Sequence, residues 1–150
     1  MKKKLHKGFT LAELLIVVAI IAVLVAISIP IFSNQLKKAR LATNQANARA
    51  AYAAWVAQYM DEGMPARNEV TYYTYNISTG KIKSSRALNF GHAVGNSNPS
   101  GVTPITDISS WKTTTHVYNN STLGAHVYKY WQMRVEDGKV VTYYAWLDEK

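Results

Sequence analysis

The chain begins with a long stretch in which apolar residues follow one another almost without interruption. From residue 14 to residue 32 the sequence reads LLIVVAIIAVLVAISIPIF, without a charged side chain. Coiled as a helix, this stretch would span roughly 28 Å, close to the thickness of the hydrocarbon core of a bilayer. The pattern therefore predicts a membrane-spanning helix.

The next segment, residues 33–62, changes to a one-sided pattern. Alanine is frequent, which favours helix, and apolar residues recur at spacings of three and four. We therefore expect the helix to continue and to pack a globular head against its apolar stripe, before Gly63 and Pro65 end it. The predicted stripe consists of Leu41, Ala48, Tyr52, Trp55, Val56 and Tyr59, whereas Asn44, Asn47, Arg49 and Gln58 fall mostly elsewhere.

After the helix the pattern becomes that of β-strands. Residues 70–77 are β-branched and aromatic and predict a strand, with residues 81–83 as a short partner after a turn at 78–80. Residues 126–135 and 140–147 flank an Asp-Gly turn, which predicts a hairpin. A long helix followed by an antiparallel sheet is an α+β fold. Alternation in the first hairpin strand places Val127, Lys129, Trp131, Met133 and Val135 on one face, which we predict to be the core face, with Lys129 near an edge.

Two segments of the head have weaker patterns. Residues 84–110 are rich in Gly, Asn, Ser and Pro, so we predict a long loop of the kind that is commonly functional or mobile. Residues 111–118 contain β-branched and aromatic side chains and predict a strand, followed by a turn at 119–121.

Positive charge is concentrated ahead of the apolar stretch. The leading segment supplies a group of lysines to the formal net charge of +8, namely Lys2, Lys3, Lys4 and Lys7. A basic cluster of this kind stays on the cytoplasmic side of a membrane, so we expect the head on the opposite side. Because these lysines belong to the leading segment, the basic pI is only a weak indication of nucleic-acid binding.

Two features distinguish the N-terminus from an ordinary secretory signal. Such a signal is cut after its apolar region, whereas the small residue Gly8 lies before this one. Glu13 lies within the apolar region, where a carboxylate is costly and should have a partner. If the chain is cut after Gly8, the new amine of Phe9 lies four residues before Glu13, on the same helix face. A signal anchor on an unrelated surface protein would explain the lysines and the apolar stretch, but neither of these features.

The segment KGFTLAELLIVVAIIAVLVAISIPIF resembles the leader and N-terminal helix of type IV pilins and type II secretion pseudopilins. The resemblance covers about the first 35 to 40 residues. It implies cleavage between Gly8 and Phe9 by a prepilin peptidase, which also methylates the new Phe9 amine. It further implies that Glu13 pairs with the amine of a neighbouring subunit during assembly, and that Pro30 bends the helix.

The same resemblance implies a division into a leader (1–8), a transmembrane and assembly helix (9–32), the soluble half of that helix (33–62) and a β-rich head (63–150). The implied partners are other copies of the chain in a filament, the prepilin peptidase, an inner-membrane platform protein with its assembly ATPase, and membrane lipid before assembly. The implied location is a single-pass membrane protein with a cytoplasmic N-terminus, later assembled at the cell surface. A subunit of an adhesion or motility pilus, a pseudopilin of type II secretion or DNA uptake, and a minor tip pilin that binds DNA or another ligand all remain open.

Catalytic and metal chemistry have little support in the sequence. The histidines, His6, His92, His116 and His126, do not have the spacing of metal ligands, and a Gly-x-Ser-x-Gly motif is absent. We therefore predict a protein that is not an enzyme and needs no cofactor. Asp107 with Glu136 and Asp137 falls short of the six to eight oxygens that calcium requires, which favours solvated turn residues.

Basic and aromatic residues in the head suggest one further partner. Lys81, Lys83 and Arg86 are close in sequence, and Tyr128, Tyr130 and Arg134 share a face of a predicted strand. Cations interleaved with aromatic rings can hold DNA through phosphate contacts and stacking, so DNA is an alternative partner. The competing interpretation is a strand face that packs against a neighbouring subunit.

Overall fold

The computed structural model describes residues 8–64, 70–86, 92–98, 101–117 and 121–147. The chain forms two compact units, Met1–Gln35 and Leu36–Lys150. Helix α1, Leu11–Asp61, contributes residues to both units and continues through Pro30. The predicted long helix is therefore confirmed. The predicted domain boundaries after residues 8, 32 and 62 stay predictions, and the leading lysines, His6 and Pro65 lie outside the described residues.

The described part of the first unit is mainly a stretch of helix with exposed side chains. Every described residue from Gly8 to Gln35 is exposed, including large apolar side chains such as Ile16 at 59% and Phe32 at 71%. In the part of the chain that the structure describes, α1 alone is long and apolar enough to cross a membrane. Apolar surface of this extent is unfavourable in water, so the first unit needs cover from outside the chain.

The second unit combines the rest of α1 with antiparallel sheets, which confirms the α+β fold. The larger sheet has the strand order β2-β1-β6-β7-β3, and β4 pairs with β5 in a smaller one. A short 3₁₀ helix, Ile108–Ser110, follows β5. The strands are β1 Thr71–Asn76, β2 Lys81–Ser85, β3 His92–Ala93, β4 Gly95–Asn98, β5 Gly101–Pro104, β6 Tyr130–Glu136 and β7 Lys139–Trp146.

The hydrophobic core lies between α1 and one face of the larger sheet. Trp55 of the helix meets Tyr73 of β1 edge-on, with ring centroids 6.4 Å apart. Trp131 of β6 stacks on Trp111 at 5.5 Å and 11°. Burial raises the pKa of the Tyr143 hydroxyl in the same core. Large flat side chains therefore fill most of the space between helix and sheet, and each aromatic pair adds to the stability that burial provides.

The predicted helix stripe is confirmed in its centre and wrong at two positions. Ala48 and Trp55 are buried, but Tyr52 is 43% exposed. The Tyr52 ring contacts the Trp55 ring at a tilt of 56°. Asn44, which the periodicity placed away from the stripe, is completely buried. The spacing of apolar residues does not predict that Asn44 is buried, because the burial of a polar side chain depends on specific hydrogen-bond partners.

Asn44 joins the helix to the connection between β5 and β6. Its side-chain amide donates to the carbonyl oxygens of Leu123 and His126, each at 2.8 Å. Its side-chain oxygen accepts from the backbone N–H of Tyr128 at 3.0 Å. One side chain thus satisfies three main-chain groups of a segment that belongs to no sheet, and this explains why a polar residue is tolerated at full burial.

Other polar side chains of α1 hold the same connection. Arg40 donates to the carbonyl of Ala125 at 2.7 Å. The amide of Gln45 lies 3.2 Å from the carbonyl oxygen of Ile108 and 3.4 Å from that of Trp111. We call Arg40, Asn44 and Gln45 the polar clasp. Because its partners are carbonyl groups and the N–H of Tyr128, the clasp satisfies main-chain groups that would otherwise lose their water on burial.

The predicted hairpin is confirmed. Glu136 pairs with Lys139, so Asp137 and Gly138 form a two-residue turn. Both have positive φ, 47° and 69°, as a type I′ turn requires. A Cβ on Gly138 would lie 2.9 Å from the hydroxyl oxygen of Tyr59, so the turn packs closely against α1.

Three predictions for the head need correction. Residues 84–110 contain β3, β4, β5 and the 3₁₀ helix in addition to loop. Within the described part of residues 111–118, the predicted strand is replaced by turns and isolated bridges at His116, because Trp111 and Val117 are used for burial. The core face of β6 holds Trp131, Met133 and Val135, but Val127 is 41% exposed and precedes the strand.

Replacement of Asn44 by leucine should lower the free energy of unfolding by about 2–4 kcal/mol, because buried main-chain groups lose their partners. Unfolding of the full chain in neutral detergent micelles, followed by tryptophan fluorescence, measures the change. Thr43→Ala is the matched control, since the Thr43 hydroxyl is exposed and donates to the carbonyl of Ala39 in its own helix. It should change stability by less than about 0.5 kcal/mol. Equal effects of the two substitutions would contradict this role for Asn44.

Candidate functional site

The start of α1 is built around a reciprocal pair of side chains. Helix residues begin at Leu11, so Thr10 is the capping position and Glu13 the third helical position. The backbone N–H of Thr10 donates to Oε2 of Glu13 at 2.8 Å, and the N–H of Glu13 donates to Oγ1 of Thr10 at 3.2 Å. This is a capping box, which satisfies two of the N–H groups that every helix start leaves without helical partners.

The Glu13 carboxylate therefore has a partner inside its own chain. The Thr10 hydroxyl also donates to Oε2 of Glu13, at 2.7 Å. A carboxylate offers about four acceptor sites, so Glu13 retains capacity for a further donor. The negative charge at the first turn also lies at the positive end of the helix dipole. The sequence analysis named only an amine as the partner of Glu13, although the Thr-x-x-Glu spacing already contained the signal for Thr10.

The residues ahead of the capping box are exposed and not helical. Phe9 is 88% exposed, and a Cβ added to Gly8 would meet nothing within 4 Å. The structure thus places Gly8, Phe9 and Glu13 within one short, accessible segment at the head of the apolar helix. Cleavage between Gly8 and Phe9, and methylation of Phe9, stay predictions.

Pro30 lies within the exposed apolar part of α1. Proline has no backbone N–H, so one helical hydrogen bond is missing one turn before it. Near this position, the hydroxyl of Ser28 donates to the carbonyl of Leu24 at 2.6 Å. The local hydrogen bonding is therefore weaker here than in the neighbouring turns, and the helix bend stays a prediction.

The acidic residues considered for calcium serve other purposes. Asp107 accepts hydrogen bonds from the N–H and the hydroxyl of Ser109, at 3.0 and 2.7 Å, and caps the 3₁₀ helix. These bonds hold the pKa of the Asp107 carboxyl below its usual value. Glu136 forms an ion pair with Arg134. Within the described ranges, no group of three or more His, Cys, Asp or Glu side chains lies close enough to hold a metal ion.

The residues considered for DNA are only partly brought together. Register places Lys81 of β2 and Tyr130 of β6 on either side of Asn76, so both belong to the sheet face that points away from the core. Arg134 lies on the same face, four residues after Tyr130 along β6. Tyr128 does not, because it precedes β6 and is buried, where its hydroxyl lies 3.0 Å from that of Ser121.

Comparison with known proteins concerns mainly the N-terminal segment. Residues 3–29 match the family described as the prokaryotic N-terminal methylation motif. The chain is 54% identical over 39 residues to type IV major fimbrial protein FimA of Dichelobacter nodosus, an alignment that covers 26% of this chain. It is 42% identical over 67 residues to the type IV narrow pilus major component PilA5 of Thermus thermophilus, which covers 43% of this chain. No solved structure matches.

Each alignment covers only part of this chain and only part of the relative. The chain spans 25% of the length of the Dichelobacter protein and 56% of the Thermus protein. The match to the methylation motif includes Gly8, Phe9 and Glu13. Each alignment therefore covers less than half of this chain, and the matched family motif includes the accessible segment at the head of the apolar helix.

Replacement of Thr10 by alanine should remove about 1 kcal/mol of capping energy. The N–H of Glu13 should then exchange with solvent roughly fivefold faster. Hydrogen exchange in micelles measures this residue by residue. Thr10→Ser retains the hydroxyl and should exchange at the rate of the unchanged chain. The N–H of Leu14, which donates to the backbone carbonyl of Thr10, serves as the internal reference. The capping role is wrong if the alanine and serine variants exchange alike at Glu13.

Proposed function

We propose that this chain, whose N-terminal segment is that of the type IV pilin family, is a structural subunit that polymerises into a type IV pilus at the cell surface. Proteins of this family are structural subunits and not enzymes. The observation that supports the proposal most directly is the wholly exposed apolar half of α1, headed by Gly8, Phe9 and Glu13.

The exposed apolar helix explains why the chain must associate with something. Membrane lipid covers it before assembly, with the leading lysines on the cytoplasmic side. In the filament, the corresponding helices of neighbouring subunits replace lipid as the apolar surroundings. This exchange changes little hydrophobic free energy, so specific contacts between subunits must determine where each new subunit is placed.

Glu13 provides such a contact. Its carboxylate is the one acidic group in the apolar half of α1, and an unpaired charge there would be costly in lipid or in a helix bundle. Cleavage after Gly8 creates an amine at Phe9, and the amine of one subunit pairs with Glu13 of the next. Because the capping box already aligns Oε2 towards the chain start, the carboxylate meets an incoming amine in a fixed orientation.

The proposal requires a defined set of partners. A prepilin peptidase in the membrane removes residues 1–8 and methylates the Phe9 amine. An inner-membrane platform protein and a cytoplasmic assembly ATPase lift the subunit out of the bilayer. A pseudopilin of type II secretion or DNA uptake would use the same steps. The named relatives are components of fimbriae and pili, which favours a pilus.

Substitution Gly8→Val should block processing, because a branched side chain replaces the small residue at the cleavage position. The mass and N-terminal residue of the chain, purified from membranes of its host, report the result. The unchanged chain should begin at N-methylated Phe9, whereas the variant should retain residues 1–8. A mature mass that the substitution leaves unchanged would exclude this cleavage site.

Substitution Glu13→Gln should leave cleavage intact and reduce the amount of assembled filament at least tenfold. A tenfold change requires the loss of only about 1.4 kcal/mol of contact free energy between subunits. Filaments sheared from the host are quantified against the membrane-bound pool. Ser28→Ala is the matched control, because it alters a polar side chain of the apolar helix without changing the charge at Glu13. Abundant normal filaments from Glu13→Gln would refute the role of this carboxylate.

A further inference from the structure

The turns between β5 and β6 pack against the first residues of α1 that belong to the second unit. The Cβ of Lys37 and the carbonyl oxygen of Thr113 lie 3.3 and 2.9 Å from the position that a Cβ on Gly124 would take. The N–H of Gly124 donates to that carbonyl at 2.9 Å, and Arg40 donates to the carbonyl of Ala125 at 2.7 Å. The head therefore contacts α1 closely at the point where the helix enters the second unit.

Positive charges gather at this contact. We call its basic side chains the basic cluster: Lys37, Lys38, Arg40 and Lys112. The three lysines are exposed and form no ion pair within the described residues. Lys112 belongs to the cluster because its neighbour Thr113 is bonded to Gly124, beside Lys37. Cations from two distant segments of the chain therefore meet at one end of the head.

Acidic side chains are absent from the sequence that builds the basic cluster. Residues 14–60 of α1 contain no Asp or Glu, and neither do residues 108–135. The acid that precedes the second segment, Asp107, accepts hydrogen bonds from Ser109 and interacts with Arg49 further along α1. The cluster therefore presents charge of one sign, which attracts anions without a nearby repulsive group.

The basic cluster follows the apolar stretch at a separation that suits lipid headgroups. The polar layer on each side of a bilayer adds about 5–8 Å to the hydrocarbon core, which a helix crosses in roughly four or five residues. The apolar stretch ends at Phe32, and Lys37 is the fifth residue after it. Lysine side chains can also extend towards phosphates while their methylene groups cover apolar surface. The sequence thus places these cations at the depth of lipid phosphates.

Cations at this position oppose the usual charge distribution of a membrane protein. Lys and Arg favour the cytoplasmic side, where we expect the leading lysines, so basic residues directly after the apolar stretch work against that orientation. Acidic residues would provide solubility without this cost. Three cations in residues 37–40 therefore point to an interaction that offsets it.

We propose that the basic cluster binds the phosphate groups of anionic phospholipids at the membrane surface from which the head projects. Cations next to a membrane helix attract anionic lipid through the surface potential and through direct phosphate contacts. The inference deepens the proposed function and rests on it, because it concerns the membrane-bound subunit before assembly. Since Lys112 belongs to the head, bound lipid ties the head as well as the helix to the membrane surface.

An acidic surface on a neighbouring subunit is the competing partner. Such a surface must present several carboxylates together. Within the described residues of this chain, no three His, Cys, Asp or Glu side chains are grouped closely enough to hold even a metal ion. Anionic phospholipids, in contrast, present a continuous layer of phosphates directly beside the apolar helix. Position and charge therefore favour lipid.

The test uses the full chain in neutral detergent micelles and phosphatidylglycerol that carries a pyrene-labelled acyl chain. Energy transfer from tryptophan to pyrene gives the apparent dissociation constant, and phosphatidylcholine with the same label is the reference without net charge. Every tryptophan lies at or beyond Trp55, so the transfer reports lipid near the head rather than lipid near the leading lysines. We expect phosphatidylglycerol to bind more tightly at low salt. The difference should disappear at about 1 M NaCl, where the screening length falls to about 3 Å.

Lysine substitutions in the basic cluster should weaken phosphatidylglycerol binding by roughly fivefold for each lysine removed. Lys37→Gln/Lys38→Gln tests the helix, and Lys112→Gln tests the turn of the head. Lys37→Arg/Lys38→Arg keeps both charges and should bind like the unchanged chain. Because these side chains are exposed, the variants should fold normally.

Matched controls remove the same charge from exposed positions elsewhere in the head. Lys139→Gln is the control for the single variant, and Lys83→Gln/Lys139→Gln is the control for the double variant. Lys139 adjoins the turn that packs against Tyr59, about 33 Å along α1 from Lys37. This separation exceeds the screening length of about 10 Å at 0.1 M salt, so the controls should leave lipid binding unchanged.

The proposal fails if phosphatidylglycerol binds no better than phosphatidylcholine at low salt, or if the controls weaken binding as much as the cluster variants. Displacement of the lipid by inorganic phosphate, at an ionic strength matched with NaCl, would overturn it in favour of a site for free anions. Unchanged lipid binding by Lys112→Gln, together with loss of filaments from the host, would assign the cluster to a neighbouring subunit. Failure of the proposed function is distinguishable, because it appears as uncleaved chain or absent filaments, and binding in micelles requires neither.

Discussion

One constraint governs this chain: its N-terminal helix carries a long apolar surface that is exposed among the residues the structure describes. From Gly8 to Gln35 every side chain is exposed, and the sequence between Leu14 and Phe32 lacks charge. Lipid or equivalent helices must therefore surround it. The single carboxylate, Glu13, is compatible with such surroundings only because hydrogen bonds already engage it. The proposed membrane location and the proposed polymerisation both rest on that balance.

The same helix has a different task once it leaves the apolar region. Its second half holds the head in two ways, through the aromatic contacts around Trp55 and through the polar clasp of Arg40, Asn44 and Gln45. Hydrophobic contacts hold the sheet, whereas the clasp holds a connection that has few strand partners of its own. Lys81 and Lys83 of β2, on the opposite face of the sheet, stay exposed.

Much of the fold and of the candidate site could be predicted from local pattern. The long helix, β1 with β2 and the Asp137-Gly138 hairpin each depend on neighbouring residues, and all were confirmed. The strands at residues 92–104 were missed because their Gly, Asn and Ser residues pair through the backbone and give no alternating signal. Burial of Asn44 and of Tyr128 was missed because their partners lie up to 84 residues away.

The sequence alone determined the features that need only a short stretch of chain: the apolar helix, the Gly8-Phe9 junction and the acid at Glu13. Helix periodicity, charge and chain order act over a few residues, so they can be read without coordinates. Tertiary structure alone decided which polar side chains became structural and which aromatic rings met on one face. Strand order places Lys81 beside Tyr130 across Asn76, and such neighbours depend on pairing between distant segments.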